Sequence, residues 1–183
     1  MRLQDSITVR IDLADKGLER VGGGLSTLGI YHGRLIMSDA LNKAGDLART
    51  QVRRTISKET ALPYGRIVAE TRSTRSNPLK LTYRIDARGR PTSLSEFKPR
   101  ETARGVSAAP WGQRRIFPGT FIVDSRGGDV FKRQTPSRFP ITRLWGPIVP
   151  KEMVREKPVA EFEKVAARLA EQLPRQLARD LKL

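Results

Sequence analysis

Apolar and polar positions alternate near the start of the chain, in the segment SITVRIDL at positions 6–13. The apolar positions that share one side of an extended backbone are Ile7, Val9, Ile11 and Leu13. A period of two is typical of a half-buried β-strand, so this segment predicts a strand. The triple glycine at 22–24 predicts a flexible hinge, because GGGLSTL lacks the lysine and the spacing of a phosphate-binding loop.

The period changes from Ser38 onward, where apolar residues recur every three or four positions. Ser38 is a candidate N-cap with Asp39 in the first turn, and the pattern predicts a long amphipathic helix that reaches Lys58. Its apolar stripe consists of Ala40, Leu41, Ala44, Leu47, Ala48, Val52 and Ile56. The alanines and Gly45 make that stripe thin, so we expect another element to approach this helix closely.

The dipeptide Leu62-Pro63 ends the long helix, since proline biases the residue before it away from helical angles. Pro63 suits the first position of a second, shorter helix, in which we expect Ile67 and Val68 to turn inward. Alternation in LKLTYRIDA at 79–87 predicts a strand, GR at 89–90 a turn, and TSLSEF at 92–97 a return strand. The apolar side of the first of these strands is Leu79, Leu81, Tyr83 and Ile85.

A basic segment with prolines and glycines follows, KPRETARGVSAAPWGQRR at positions 98–115. It predicts a long loop or extended arm, whose basic residues and Trp111 would grip a polyanion or lie across a neighbouring subunit. A disordered surface loop is the alternative.

The segment FPGTFIVDSRGGDVFKRQ at positions 117–134 predicts a β-hairpin. GTFIVD is rich in β-branched and aromatic residues, which favour strands. SRGGD supplies turn residues that tolerate positive φ, and VFKRQ is the return strand. PITRLWGPIVP at 140–150 predicts a further extended piece that ends in proline-rich turns.

A final helix is predicted in the C-terminal part, with Pro158 in its first turn. Its apolar stripe is Val159, Phe162, Val165, Ala166, Leu169, Leu173, Leu177 and Leu181. Pro174 lies inside this stripe, and we expect it to kink or divide the helix.

Together these patterns predict an α+β fold, in which an antiparallel sheet packs against a long amphipathic helix, with a C-terminal helix and extended loops or arms. We expect three parts along the chain. They are an N-terminal strand and glycine hinge at 1–37, an α+β core at 38–150 and the C-terminal helix at 151–183.

The charge of the chain bears most directly on its expected partners. There are 35 Lys and Arg against 19 Asp and Glu, which gives a formal net charge of +16. The excess is concentrated between Arg34 and Arg138, where there are 22 basic and 9 acidic residues. Such a field attracts polyanions through counterion release and long-range steering, so nucleic acid is the expected partner and an acidic protein surface the alternative. The candidate contacts to DNA or to a neighbouring subunit are Arg49, Arg53, Arg54, Arg114, Arg115, Lys132 and Arg133. For the three helix residues among them, a solvated helix face is the alternative.

Groups for catalysis or metal binding are sparse. The chain has no cysteine, which excludes thiolate zinc sites, and its one histidine is His32. The carboxylates are scattered, and Asp124 and Asp129 flank a turn, where aspartate is ordinary. We therefore expect no enzyme, no metal and no cofactor. With no apolar run near the roughly 18 residues that span a bilayer, and no signal-peptide pattern, we expect a soluble protein.

The long-helix segment ALNKAGDLARTQVRRTISKETALPYGRI resembles a segment typical of the phage minor tail protein Z family, also described as tail completion proteins. FPGTFIV, VFKRQ and RFPITRLWGPIVP are similar, in the same order, to later pieces of that family. The matched positions are Ala40, Leu41, Asn42, Ala44, Arg49, Arg54, Ile56, Leu62, Pro63, Pro118, Gly119, Phe121, Val130, Phe131, Arg133, Pro140, Ile141, Gly146, Pro147 and Pro150. The resemblance covers residues 38–150, and the 37 residues before the helix and the segment VAETRSTRSN depart from it.

The resemblance implies a structural protein of the virion at the head-proximal end of a long tail, present in the host cytoplasm during assembly. It implies a homo-oligomeric ring around the DNA channel, six-fold to match the tail, which prepares the tail for head joining. The implied neighbours are tail terminator, tail tube and head–tail connector proteins, with phage DNA in the channel as a further contact and no membrane.

In such a ring, the hairpin with Lys132 and Arg133 on its return strand is expected to supply a sheet edge to the next subunit or to line the channel. A non-specific basic nucleic-acid-binding protein is the alternative function. A nuclease is disfavoured by the absence of clustered carboxylates.

Overall fold

Helices and antiparallel sheets both contribute to the fold, which a computed structural model describes for residues 6–12 and 27–180, with side chains at 31–173 and Arg179. The described helices are α1 (Thr27–Thr60), α2 (Tyr64–Glu70), α3 (Val149–Met153) and α4 (Glu156–Asp180). The described strands are β1 (Ser6–Asp12), β2 (Thr71–Thr74), β3 (Thr82–Arg88), β4 (Arg100–Thr102), β5 (Gly105–Ala108), β6 (Arg115–Pro118), β7 (Thr120–Val123), β8 (Asp129–Arg133) and β9 (Ile141–Arg143). They form three antiparallel sheets in the orders β1-β3-β2, β4-β5-β6 and β7-β8-β9. The fold is therefore α+β, as predicted.

Helix α1 begins at Thr27, so the prediction of an N-cap at Ser38 is wrong. Ser38 lies inside the helix and is buried, and the boundary expected between residues 37 and 38 falls within α1. Gly29 and Gly33 lower the helix propensity of the residues before Ser38. The helical pattern in the sequence therefore appears to start later than the helix does. Met37 is buried in the core and extends the apolar stripe, so tertiary packing outweighs the local propensity.

Strand β3 crosses the thin stripe of α1 at Gly45, as the pattern predicts. Tyr83 is fully buried there, and a Cβ on Gly45 would overlap its ring. The close approach of the strand therefore depends on the missing side chain. The core around this contact includes Leu41, Val52, Ile56, Ile85, Leu94, Phe97, Val130, Met153 and Phe162.

Helix α2 follows Pro63 and buries Ile67, as predicted, but Val68 is exposed. A helix of seven residues makes only two turns, so only one narrow face reaches the core. The expectation that both side chains turn inward is therefore wrong for Val68.

The segment after β3 does not form a return strand. TSLSEF folds instead into a 3-10 turn at Leu94–Phe97, and β3 pairs with β1 and β2. Leu94 and Phe97, three residues apart, are both buried, and the Ser93 hydroxyl caps the turn by accepting the Ser95 N–H. Apolar residues three positions apart lie on one side of a helical turn but not of a strand, which explains why this segment forms a turn. Leu79 was expected in the same sheet, but it precedes β3 and is 86% exposed.

Residues 98–115 are not the long loop that their composition predicts, since they contain β4, β5 and the start of β6. All four residues of β5 are buried, because small side chains allow this strand to lie deep in the protein. Gly105 opens the strand with a φ of 134°, and a Cβ there would overlap the carbonyl oxygen of Phe117. The small residues of this segment, whose composition is typical of a linker, form the central strand of the sheet β4-β5-β6.

Helix α4 has Pro158 in its first turn and packs along α1. Its buried residues include Phe162, Val165, Leu169 and Leu173, which confirms this part of the predicted stripe. The helix continues through Pro174 to Asp180, so Pro174 does not divide it, and a kink at this residue stays a prediction. Packing of the preceding turns along α1 supports the helix ahead of the proline. The predictions for Leu13, the glycines at 22–24, the Leu177 side chain and Leu181 lie outside the described residues.

A candidate polyanion-binding face on the hairpin sheet

The predicted hairpin is present as strands β7 and β8. Their register pairs Phe121 with Phe131, and the turn contains Gly127 and Gly128, each with a φ of 72°. Positive φ suits glycine, so these two residues fix the turn. Strand β9 pairs with the other side of β8, which makes β8 the central strand. The edge that the hairpin contributes to this sheet is therefore β7, not the basic return strand, and its pairing with a next subunit stays a prediction.

The two basic residues of β8 point to opposite faces of this sheet. Side chains alternate along a strand, and Val130, which is fully buried in the core, shares its face with Lys132. Phe131 and Arg133 share the other face. Lys132 and Arg133 are both exposed, but they do not form one patch.

Arginine guanidinium groups lie over aromatic rings on the Phe131 face. Arg133 is 4.7 Å from the centre of the Phe121 ring, and Arg126, from the turn, is 5.5 Å from the centre of the Phe131 ring. Both guanidinium groups lie within the distance at which a cation is attracted to the face of a ring. The rings therefore favour one orientation for each of these arginines.

A third arginine extends the row across β9. Arg143 lies directly opposite Phe131 in the strand register, and its guanidinium is 4.2 Å from the centre of the Trp145 ring. Trp145 is half exposed, so this stacked pair lies at the surface. We call this surface the arginine–aromatic face and define it by Phe121, Arg126, Phe131, Arg133, Arg143 and Trp145.

Asp129 anchors one end of the arginine–aromatic face. It is buried, and its Oδ1 accepts hydrogen bonds from the Ser93 hydroxyl at 2.5 Å and from the Arg143 guanidinium at 2.6 Å, with Ser95 Oγ at 3.1 Å. Burial opposes ionisation, but the hydrogen bonds from Ser93 and Ser95 and the charge of Arg143 outweigh it, and the pKa of Asp129 lies below its ordinary value. The charged carboxylate holds Arg143 over Trp145.

Arg126 and Arg133 differ from Arg143, because within the described part of the chain neither forms an ion pair with a carboxylate. Both are exposed. Aromatic rings orient their guanidinium groups while the N–H donors stay available, and a guanidinium matches the geometry of a phosphate. The exposed arginines can therefore bind the phosphates of an anionic polymer, while Phe131 is buried beneath them.

Two of the candidate arginines on α1 bind the protein's own backbone and side chains. Arg49 donates to Ser73 Oγ at 2.9 Å, and Arg53 donates to Thr71 Oγ1 at 2.7 Å and to the Thr71 carbonyl at 2.8 Å. These bonds join α1 to the edge strand β2. Arg54 is exposed on the same helix.

Arg115 begins β6 and Arg114 directly precedes it, so these two candidates belong to a different sheet from the hairpin. Arg114 donates to the carbonyls of Ser107 and Lys98 at 3.3 and 3.2 Å, which ties it to β5 and to the turn before β4. Arg115 lies 4.8 Å from the centre of the Trp111 ring. The structure therefore places the seven predicted contacts in three parts of the fold, and only Arg133 belongs to the arginine–aromatic face.

Sequence reasoning missed Arg126, Arg143 and Trp145. A signal for the last two is present, since residues two apart on a strand share a face. Arg126 has no comparable signal, because a turn residue reaches Phe131 only through the particular geometry of the turn.

The described residues contain no group of three or more histidine, aspartate or glutamate side chains placed to hold a metal ion. No helix in the described ranges is long and apolar enough to cross a membrane. His32 lies on α1 and is exposed. Comparison with known proteins found no matching family model, no matching curated protein and no matching solved structure.

Proposed function

We propose that this protein is a structural component of a phage virion, a tail completion or neck protein at the head-proximal end of the tail. In this proposal, copies form a ring around the DNA channel, six-fold like the tail, and prepare the tail for joining to the head. Tail terminator, tail tube and head–tail connector proteins are its neighbours. The protein acts by shape and charge and transforms no substrate.

The observation that carries the proposal is the arginine–aromatic face. Arg126 and Arg133 are exposed, stacked on rings and without carboxylate partners in the described structure. On a chain with a net charge of +16, such a surface favours contact with a polyanion, and DNA is the polyanion inside a phage tail. We place this face on the inner wall of the ring.

The positions that carry the family resemblance support the proposal because many of them determine the fold. Leu41, Ile56 and Leu62 are buried in the core. A Cβ on Gly146 would lie 2.8 Å from the ring of Phe97, so this position requires glycine. Agreement at such positions favours a common fold over a chance similarity of surface residues.

Deletion of the gene tests the proposal directly. Electron microscopy of lysates from the deletion phage is expected to show unjoined heads and tails or defective tail ends, and the wild-type gene supplied from a plasmid should restore joined particles. Intact, infectious virions from the deletion phage would contradict the proposal.

A non-specific nucleic-acid-binding protein is the second candidate, and the stacked arginines favour it as well. The two functions differ in where the protein is found. A free binding protein is absent from purified virions and binds DNA with an affinity that falls steeply with salt, whereas a completion protein remains in the particle.

A further inference from the structure

A cleft of about 470 Å³ lies between the 3-10 turn Pro110–Gly112 and the junction of α3 with α4. This volume is in the range of ligand-binding pockets. Trp111, Ile56 and Pro158 give the cleft an apolar part. Three carboxylates, Glu59, Glu152 and Glu156, and two cations, Arg155 and Lys157, line it as well. Arg155 pairs with Glu152 and Lys157 pairs with Glu59, so Glu156 is the carboxylate of the cleft that no described ion pair involves.

Glu152 is the buried carboxylate of this cleft. Its Oε1 accepts a 3.0 Å hydrogen bond from the Trp111 indole N–H. Its Oε2 lies 3.0 Å from Arg155 Nε but accepts no hydrogen bond, although the residue is only 3% exposed. Glu152 therefore holds Trp111 and Arg155 together in the wall of the cleft.

Trp111 is held in a strained backbone conformation beside this carboxylate. Its φ of 56° and ψ of 28° lie in the left-handed region, which a bulky aromatic residue rarely adopts. Strain of this kind persists where surrounding contacts enforce it, and it is frequent at binding sites. Here the bond to Glu152 and the guanidinium of Arg115 over the ring hold the indole in the cleft wall.

The rim of the cleft offers one further carboxylate. Glu59 is already paired with Lys157 at 2.8 Å. Glu156 is exposed, and no ion pair involves it in the described part of the chain. An incoming cation would therefore meet Glu156 at the rim.

The loop between β8 and β9 has the complementary composition. The Gln134 N–H donates to the Pro140 carbonyl at 3.3 Å and closes a short loop whose residues are all exposed. Arg138 lies 5.7 Å from the centre of the Phe139 ring, and Phe139 is 62% exposed. We call residues 134–140 the tip. It presents a cation beside an apolar ring, and arginine and aromatic residues are frequent anchors of protein interfaces.

We propose that the tip of one copy binds in the Trp111–Glu152 cleft of the next copy. Arg138 then pairs with Glu156, while Phe139 packs on the apolar part of the cleft. Because tip and cleft are different surfaces, the contact is head-to-tail, and such contacts repeat into a ring when the rotation closes. This inference specifies the contact between neighbouring copies in the proposed ring, and it rests on the proposed function.

Charge substitutions test the contact in purified full-length protein. Arg138→Glu and Glu156→Arg are each expected to lower the oligomer mass measured by light scattering, and the double variant, which restores an opposite-charge pair, should regain mass. Arg168→Glu and Glu163→Arg, exposed on α4, are the matched controls and should leave the mass unchanged. Unchanged melting temperatures would show that the variants fold.

Disulfide capture tests the geometry, because the chain has no cysteine of its own. Oxidation of a mixture of Ser137→Cys and Gln113→Cys proteins should give a covalent dimer, and addition of Arg138→Glu to the first protein should reduce its yield several-fold. Ala167→Cys, an exposed position on α4, replaces Gln113→Cys in the control and should give little dimer.

The outcomes separate this inference from the ring itself. Oligomers that persist in both charge variants, or equal capture at Ala167, would overturn the tip-and-cleft contact and leave the ring standing. A wild-type protein that stays monomeric and gives no capture would overturn both.

Discussion

The hydroxyl of Tyr83 lies 2.8 Å from Asp46 Oδ1, and this hydrogen bond joins the start of β3 to the middle of α1. Asp46 also pairs with Arg75 and, at 3.2 Å, with Arg49. Burial opposes ionisation of Asp46, but hydrogen bonds from Arg75 and Tyr83 and the charge of Arg49 outweigh it, so its pKa is lowered. A charged carboxylate thus ties the long helix to the strand that crosses it.

Tyr83→Phe removes this hydrogen bond and keeps the ring. We expect the free energy of unfolding to fall by about 1–2 kcal/mol, because a bond to a charged acceptor is stronger than a neutral one. Urea denaturation at neutral pH measures the change. Tyr31→Phe, at an exposed position on α1, is the control and should change stability by less than about 0.5 kcal/mol. Equal effects of the two substitutions would contradict the assigned role of the bond.

Gly45→Ala tests the close approach of β3 to α1. Alanine raises helix propensity by about 1 kcal/mol, but its Cβ would overlap the Tyr83 ring. Overpacking of this kind costs about 1–3 kcal/mol, so we expect a net loss of stability. Gly65→Ala in α2, where nothing lies within 4 Å of the new Cβ, should instead stabilise the protein. Thermal unfolding should show a lower melting temperature for Gly45→Ala and a higher one for Gly65→Ala. A higher melting temperature for Gly45→Ala would contradict the close packing of Tyr83 on Gly45.

The lowered pKa of Asp129 predicts a pH dependence of stability. A carboxyl whose folded pKa lies below its unfolded value stabilises the fold above the unfolded pKa of about 3.9, and this contribution is lost as the pH falls through the folded value. Asp129→Asn removes it at all pH values. The stability difference between wild type and Asp129→Asn should therefore be largest at neutral pH and shrink below about pH 4. A difference that stays constant from neutral to acid pH would contradict the ionised state of Asp129.

Substitutions on the arginine–aromatic face should change DNA binding in a defined way. If Arg133 neutralises one phosphate, Arg133→Ala should reduce the slope of log affinity against log salt by about 0.9. Arg133→Lys keeps the charge and loses the planar stack on Phe121, so it should keep the slope and weaken binding. Lys132→Ala is the matched control, because Lys132 neighbours Arg133 but points to the opposite face. An equal change of slope in Lys132→Ala would show that net charge, and not this face, governs binding.

Long periodic segments were predictable from the sequence because their packing follows their pattern. The buried residues of α1 and α4 recur with helical spacing, and the hairpin carries its own turn glycines. The start of α1 was not predictable, since Gly29 and Gly33 mask a helix that packing of Met37 supports. Propensity fails where tertiary contacts decide the outcome.

The arginine–aromatic face was less predictable than the fold, for a physical reason. Arginine is frequent in this chain, and its long side chain can stack on a ring, pair with a carboxylate or bind the backbone. Arg53 on α1 donates to Thr71 on β2, and Arg133 stacks on Phe121, yet the sequence alone presents both only as surface charge. Only the register of β7, β8 and β9 brings Arg133 and Arg143 onto one face.

Cryo-electron microscopy of the virion at the junction of head and tail tests the central claim most directly. The proposal predicts density for this chain as a closed ring, with Arg126 and Arg133 on the wall that faces the DNA. A particle that lacks the chain, or a ring in which the arginine–aromatic face points away from the channel, would contradict it.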